Sequence, residues 1–256
     1  MTVRLEAVEP QDPTNPDQDG AGVLELTKWI GLLYNETMAD ARLSETGEPR
    51  WPAFVALLAL GGLYSALPSS LLVGGPRWLF LLIISVLLVP TIISHRQGNH
   101  TLNRVLGFIL NGIVTVALTG SLALLIPALP EHRITPQQLL LSAAALWVAN
   151  ILVFASWYWH LDAGGPHERD RTRGHTDGAF LFPQMTMDPA AKRAAGEHEW
   201  EPNFVDYLFL AFNTSTAFSP TDVPVLSRWA KILMMIQAMI SLLVIAMLAA
   251  RAVNIL

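Results

Sequence analysis

Residues 203–228, NFVDYLFLAFNTSTAFSPTDVPVLSR, decide how this chain folds. The stretch opens with Asn203 and carries an acid three positions on, Asp206, the pattern of a capped helix start. Mostly apolar residues follow. Then comes a run of hydroxyls, Thr214, Ser215, Thr216, Ser219 and Thr221, broken by Pro220 and closed by Asp222 and Pro224. The stretch is too short, and too polar at its far end, to cross a bilayer core, which takes about 20 apolar residues. It nevertheless lies between two segments that can. Irregular polar backbone at membrane depth is tolerated only where protein buries it or it lines a wet cavity. The expectation is a short helix that enters the membrane and returns as a pore loop.

The rest of the chain supplies the membrane part. Of 256 residues, 52% are apolar and 14% are charged, against roughly 25% charged in a soluble domain. Uncharged runs cover 51–73, 78–94, 105–129, 136–159 and 232–250. Each approaches the length of a membrane span. The predicted fold is therefore an all-α membrane protein with five transmembrane helices and a re-entrant pore helix between the last two. The spans are read as 51–73, 78–94, 105–129, 136–160 and 229–250. GGPR at 74–77 and PEHRITP at 130–136 are the turns. Trp157, Tyr158 and Trp159 close the fourth span as an aromatic belt at the membrane edge.

Four regions result. Residues 1–22, rich in Pro, Asp, Gln and Gly, read as a disordered tail without a cleavable signal peptide. Residues 23–50 read as an amphipathic interfacial helix, with Leu26, Ile30, Leu33 and Met38 on one side. Residues 51–135 form a three-helix membrane region. Residues 136–256 hold an outer helix, a hydrophilic connection over 161–202, the re-entrant loop over 203–228 and an inner helix.

Charge placement predicts orientation. With five spans, one side holds thirteen of the sixteen Lys and Arg residues and the other holds Arg77, Arg133 and Arg251. The positive-inside rule then puts the N-terminus and 161–202 in the cytoplasm. The excess of Arg over Lys fits a bacterial source, and so an inner membrane.

Several chemistries are not expected. The chain has no cysteine, which excludes disulfides and thiolate sites. The segment 160–200 holds His160, Asp162, His167, Glu168, Asp170, His175, Asp177, Glu197, His198 and Glu199, but none at metal-ligand spacing, so it reads as a solvated loop and no metal is assigned. No phosphate-binding Gly loop, Ser–His–Asp spacing or aromatic-rich basic patch occurs, so neither enzyme, cofactor nor nucleic-acid chemistry is expected. Asn111 and Thr115 share a helix face and read as interhelical hydrogen-bonding groups. Met234, Met235, Met239 and Met247 read as lipid contact or core.

From the fourth helix onward the order is outer helix, pore helix, loop, inner helix. FVDYLFLAFNTSTAF, then Asp222, Pro224 and a basic residue before the last helix, resembles the pore module of the potassium channel superfamily. The endings FLFPQMT (180–186), TAFSPTDVPVLSRWAK (216–231) and AARAVNIL (249–256) resemble those of a widespread group of bacterial multi-pass membrane proteins. The channel resemblance places Thr216, Ala217, Phe218, Ser219, Pro220 and Thr221 along the filter. Ser219 and Thr221 stand where that superfamily has its filter glycines, and Pro220 where it has an aromatic residue. Glycine there lets successive carbonyls point inward.

The functional expectation is a homo-oligomeric pore-loop channel, a tetramer, passing monovalent cations without strong selectivity. Its ion path would be Thr214, Ser215, Thr216, Ala217, Phe218, Ser219, Pro220, Thr221 and Asp222, the last forming a carboxylate ring, with Asn203 and Asp206 as the pore-helix cap. The alternative is a non-conducting sensor or partner-binding subunit that uses the loop as a packing element.

Overall fold

A computed structural model describes residues 48–96, 100–128, 135–171, 178–196, 200–219 and 222–253. Nine α-helices run along these residues: α1 Trp51–Ala66, α2 Arg77–Arg96, α3 His100–Ala128, α4 Pro136–Leu161, α5 Pro166–Arg171, α6 Pro183–Thr186, α7 Pro189–Ala194, α8 Phe204–Thr216 and α9 Arg228–Val253. The only strand-like pairing among them is an isolated bridge between Phe180 and Val225.

Helix α4 is the centre, packed by α1, α3, α8 and α9. Thr135 starts it: its side chain accepts from the Gln138 amide, and Pro136 occupies the first turn where its missing N–H costs nothing. Its residues divide between two cores. One joins α1, α2 and α3 to the first half of α4 through Leu60, Ile84, Val114 and Leu146. The other joins the second half of α4 to α8 and the start of α9 through Phe154, Tyr158, Tyr207, Leu210 and Ala230.

Among the described residues three helices are long and apolar enough to cross a membrane: 102–127 of α3, 137–164 around α4 and 228–249 of α9. The apolar parts of α1 and α2, Trp51–Ala66 and Arg77–Thr91, are shorter. The first predicted span, 51–73, thus ends early. Leu67 precedes Pro68 and is extended (ψ 149°), as the residue before a proline prefers, which ends the helix at Ala66. The chain from 67 to 73 is held instead by side chains. The Tyr64 hydroxyl accepts from the Val73 amide at 2.7 Å and donates to the Val73 carbonyl at 2.8 Å. Ser121 donates to the Leu71 carbonyl at 2.8 Å. Gly74 and Gly75, at φ +91° and +125°, then reverse the chain into α2, as the GGPR turn requires.

Two further expectations change. Two described parts of the segment 161–202 pack into the bundle rather than being solvated: Asp162 and Arg169 in one, and Ala179, Phe180 and Phe182 in the other, are buried. Tyr158 and Trp159 face inward and are buried, so they are core residues and not a belt against lipid. Met234 and Met247 are buried while Met235 and Met239 are exposed, so the methionines do not share one environment. The tail 1–22 and most of the predicted helix over 23–50 lie outside the described residues, and residues 48–50 are not helical.

Candidate functional site

Helix α8 begins where the sequence places it. The Asn203 side chain accepts from the Val205 amide at 2.9 Å, and Asp206 accepts from the Asn203 amide at 2.8 Å, so the two form a capping box. From there α8 runs down the side of α4, away from the α4 C-terminus. The Phe204 ring lies 5.8 Å from Trp159, near the end of α4, whereas Phe212 lies 6.4 Å from Trp147, three turns deeper.

The start of α8 rests on a buried polar cluster. The Tyr207 hydroxyl donates to Asp162 at 2.7 Å, and the other oxygen of Asp162 accepts from the Ala179 amide. Arg169 stacks over the Tyr207 ring at 5.1 Å and donates to the carbonyls of Trp159 and Asp162. It also pairs with Glu48 at 2.8 Å, and Glu48 in turn accepts from the Trp159 indole N–H. Burial raises the Glu48 carboxyl above its usual value, outweighing the opposing pull of Arg169.

The deep end of α8 is fastened by Gln237 of α9. Its Nε2 donates to the Ala211 carbonyl at 2.7 Å and to the Ser215 hydroxyl at 2.8 Å. Its Oε1 accepts from Tyr158 of α4 at 2.5 Å. Asn150 of α4 donates to the Gln237 carbonyl and to Ser241. A single glutamine therefore ties three helices together at the level where α8 stops.

After α8 the chain comes back to the end it left. Leu181 donates its amide proton to the Pro224 carbonyl at 3.0 Å, and Leu226 donates to Ala179 at 2.8 Å. Phe180, paired with Val225, packs its ring against Tyr158, Tyr207 and Trp229. The chain thus descends and returns on one end of the bundle, between α4 and α9.

The predicted path residues divide in two. Thr214 and Ser215 are buried; Thr214 donates to its own Leu210 carbonyl, and Ser215 takes the Gln237 bond. Thr216, Ala217, Phe218 and Ser219 are exposed, as is Asp222. Thr216 donates to the Phe212 carbonyl, the Ala217 amide closes the helix on Asn213, and Phe218 takes a positive φ of 53°. Pro220 and Thr221 lie outside the described residues. Chemically the exposed part offers hydroxyls, a carboxylate and the partly negative C-terminal end of a helix.

Sequence reasoning missed Gln237, Tyr158, Asp162 and Arg169. The first sits in an otherwise uncharged span, and a lone amide among apolar residues was the available signal. Asn111 and Thr115 do bond between helices: Asn111 accepts from Ser156 at 2.6 Å and Thr115 from the Trp157 indole at 2.8 Å. No group of metal-ligating side chains occurs among the described residues.

No family model, curated protein or solved structure matches the chain. What the described residues define is an all-helical fold with three helices fit to cross a membrane, carrying a short capped helix between two of them.

Proposed function

We propose that the chain is one subunit of a pore-loop cation channel in a bacterial inner membrane, with five spans and α8 with its following loop as the re-entrant element. The observation that carries this reading is the course of 203–219 and 222–226. A capped helix descends between α4 and α9, the chain returns on the same end, and Thr216 in the last turn of the helix, with Ser219 and Asp222 beyond it, is left exposed. One chain offers one such loop, so a central path needs several copies, and four is the expected number. The outward faces of α8 and α9 are apolar, with Phe209, Phe212, Met235 and Met239 exposed, and would meet neighbouring copies or lipid.

In this reading monovalent cations pass Thr216, Ser219 and Asp222 with weak selectivity, because the backbone there lacks the glycines that aim carbonyls inward. Thr214 and Ser215 act behind the path as fasteners. The N-terminus and 161–202 face the cytoplasm. Purified protein in planar bilayers should conduct, and Asp222→Asn should lower cation flux severalfold. Absence of conductance together with a monomer in detergent would overturn the reading.

That outcome would favour a non-conducting membrane protein. The burial of Thr214 and Ser215 inside the chain's own packing supports this second reading.

A further inference from the structure

A cavity of about 330 Å³ lies away from α8, among the start of α1, the α2 end, the start of α3, the α4 C-terminus and α5. Its size falls at the lower edge of the roughly 300–1,000 Å³ of small-molecule sites. Two helices line it with the same gradient. Along α1 the lining residues are Arg50, then Phe54, then Leu57; along α3 they are Arg104, then Gly107, then Leu110. Arg50 caps the start of α1 and Arg104 lies one turn into α3, and in each case a leucine lies six or seven residues further in, about 10 Å deeper at 1.5 Å per residue. Both helices start at the same end, since α2 reverses the chain between them, so the two gradients run together.

The charge on the lining is lopsided. Arg50, Arg104 and Arg171 face a single carboxylate, Glu168. Arg50 is engaged by Asp170 at 2.8 Å, and Glu168 meets Arg171 at 3.4 Å with the arginine largely and the glutamate partly in solvent, an arrangement of little strength. Among the described residues no carboxylate pairs with Arg104, whose guanidinium lies 5.8 Å over the Phe108 ring. Gly107 leaves the space that the His160 ring edge borders; a side chain there would collide with it.

We infer that this cavity binds an anionic phosphate headgroup, with Arg104 and Arg171 meeting the phosphate. Guanidinium forks match phosphate oxygens in pairs. The apolar floor of Phe54, Leu57 and Leu110 accepts the carbon chain carried by such a group. A lipid phosphate and a soluble organic phosphate share this chemistry. The assignment holds whether or not the protein conducts.

The test is calorimetric titration of the full chain in neutral detergent with dioctanoyl phosphatidic acid, dioctanoyl phosphatidylcholine and inorganic phosphate. Phosphatidic acid should bind at one site per chain, at least tenfold tighter than the choline lipid. Arg104→Glu and Arg171→Glu, both at exposed side chains, should each weaken it tenfold or more, and Arg193→Glu on α7 should not. Inorganic phosphate that binds as tightly as phosphatidic acid, with the same two variants losing it, identifies a soluble phosphate as the ligand; phosphate that fails to compete identifies the lipid. Equal binding of the two lipids, or unchanged binding by both arginine variants, would overturn the inference.

Discussion

Gln237 donates from Nε2 to the hydroxyl of Ser215 across 2.8 Å, joining the middle of α9 to the last turn of α8. The same side chain accepts the Tyr158 hydroxyl hydrogen bond through Oε1, so no polar atom of the Gln237 amide is idle. A leucine of similar volume would leave the Tyr158 hydroxyl buried without a partner. Gln237→Leu should therefore destabilise the protein by about 1–3 kcal/mol. Thermal unfolding in detergent checks this, and the proposed channel should lose flux in parallel because the end of α8 is no longer held. Unchanged unfolding would show the network to be dispensable.

Arg169 and Glu48 form a pair with side chains nearly out of solvent. Removing one partner leaves the other charged and buried, so Arg169→Ala should cost about 3–5 kcal/mol. Denaturation monitored by tryptophan fluorescence reads this directly, since Trp159 touches Glu48.

The same pair gives a pH dependence of definite sign. Burial raises the folded Glu48 pKa above its usual 4.5. The folded state then holds the proton more tightly than the unfolded state, and stability falls as pH rises from about that value through the raised one. Below 4.5 the group contributes no slope, because both states are protonated. Glu48→Gln should flatten this part of the stability curve. A slope of the same size in the variant would assign it to other groups.

Two glycines of α3 should respond oppositely to alanine. Gly112 has open space around it, and replacing a mid-helix glycine there should stabilise by about 0.5–1 kcal/mol. Gly120 has Val73 against it, so close that an added methyl would sit 2.6 Å from a valine methyl carbon. Gly120→Ala should destabilise despite its better helix propensity, through the displaced 67–73 segment. Melting temperatures of the two variants settle the pair.

Asp222 is exposed and carries no evident packing role. Asp222→Asn should leave the melting temperature unchanged while reducing cation flux. A drop in stability instead would make it a structural cap of the loop.

What was legible in the sequence was what local chemistry controls. The start of α8 at Phe204 follows from Asn203 and Asp206 alone, and its end at Thr216 from the hydroxyl and proline run. The GGPR turn follows from glycine. The end of α1 was misplaced because hydropathy continues through Leu71 and Val73, whereas the backbone obeys Pro68. The buried side of 161–202 was hidden for a different reason. Arg169 and Asp162 look solvated in a polar stretch, and only their partners Tyr207, Trp159 and Glu48, from 10 to 121 residues away in sequence, make burial possible. Tyr158 and Trp159 were misread because an aromatic run at a helix end suits an interface and a core equally well.

Glu48 is held twice where the chain enters the described fold. Its amide donates to Asp170 at 3.0 Å, its carboxylate grips Arg169, and two residues later Arg50 clasps Asp170 again. Mechanically this is an anchor set ahead of the first helix. A tug on the backbone at Glu48 would be shared with α5, the 166–171 helix, rather than fall on α1 alone. The same anchor couples that tug, through Arg169 and Tyr207, to the footing of α8.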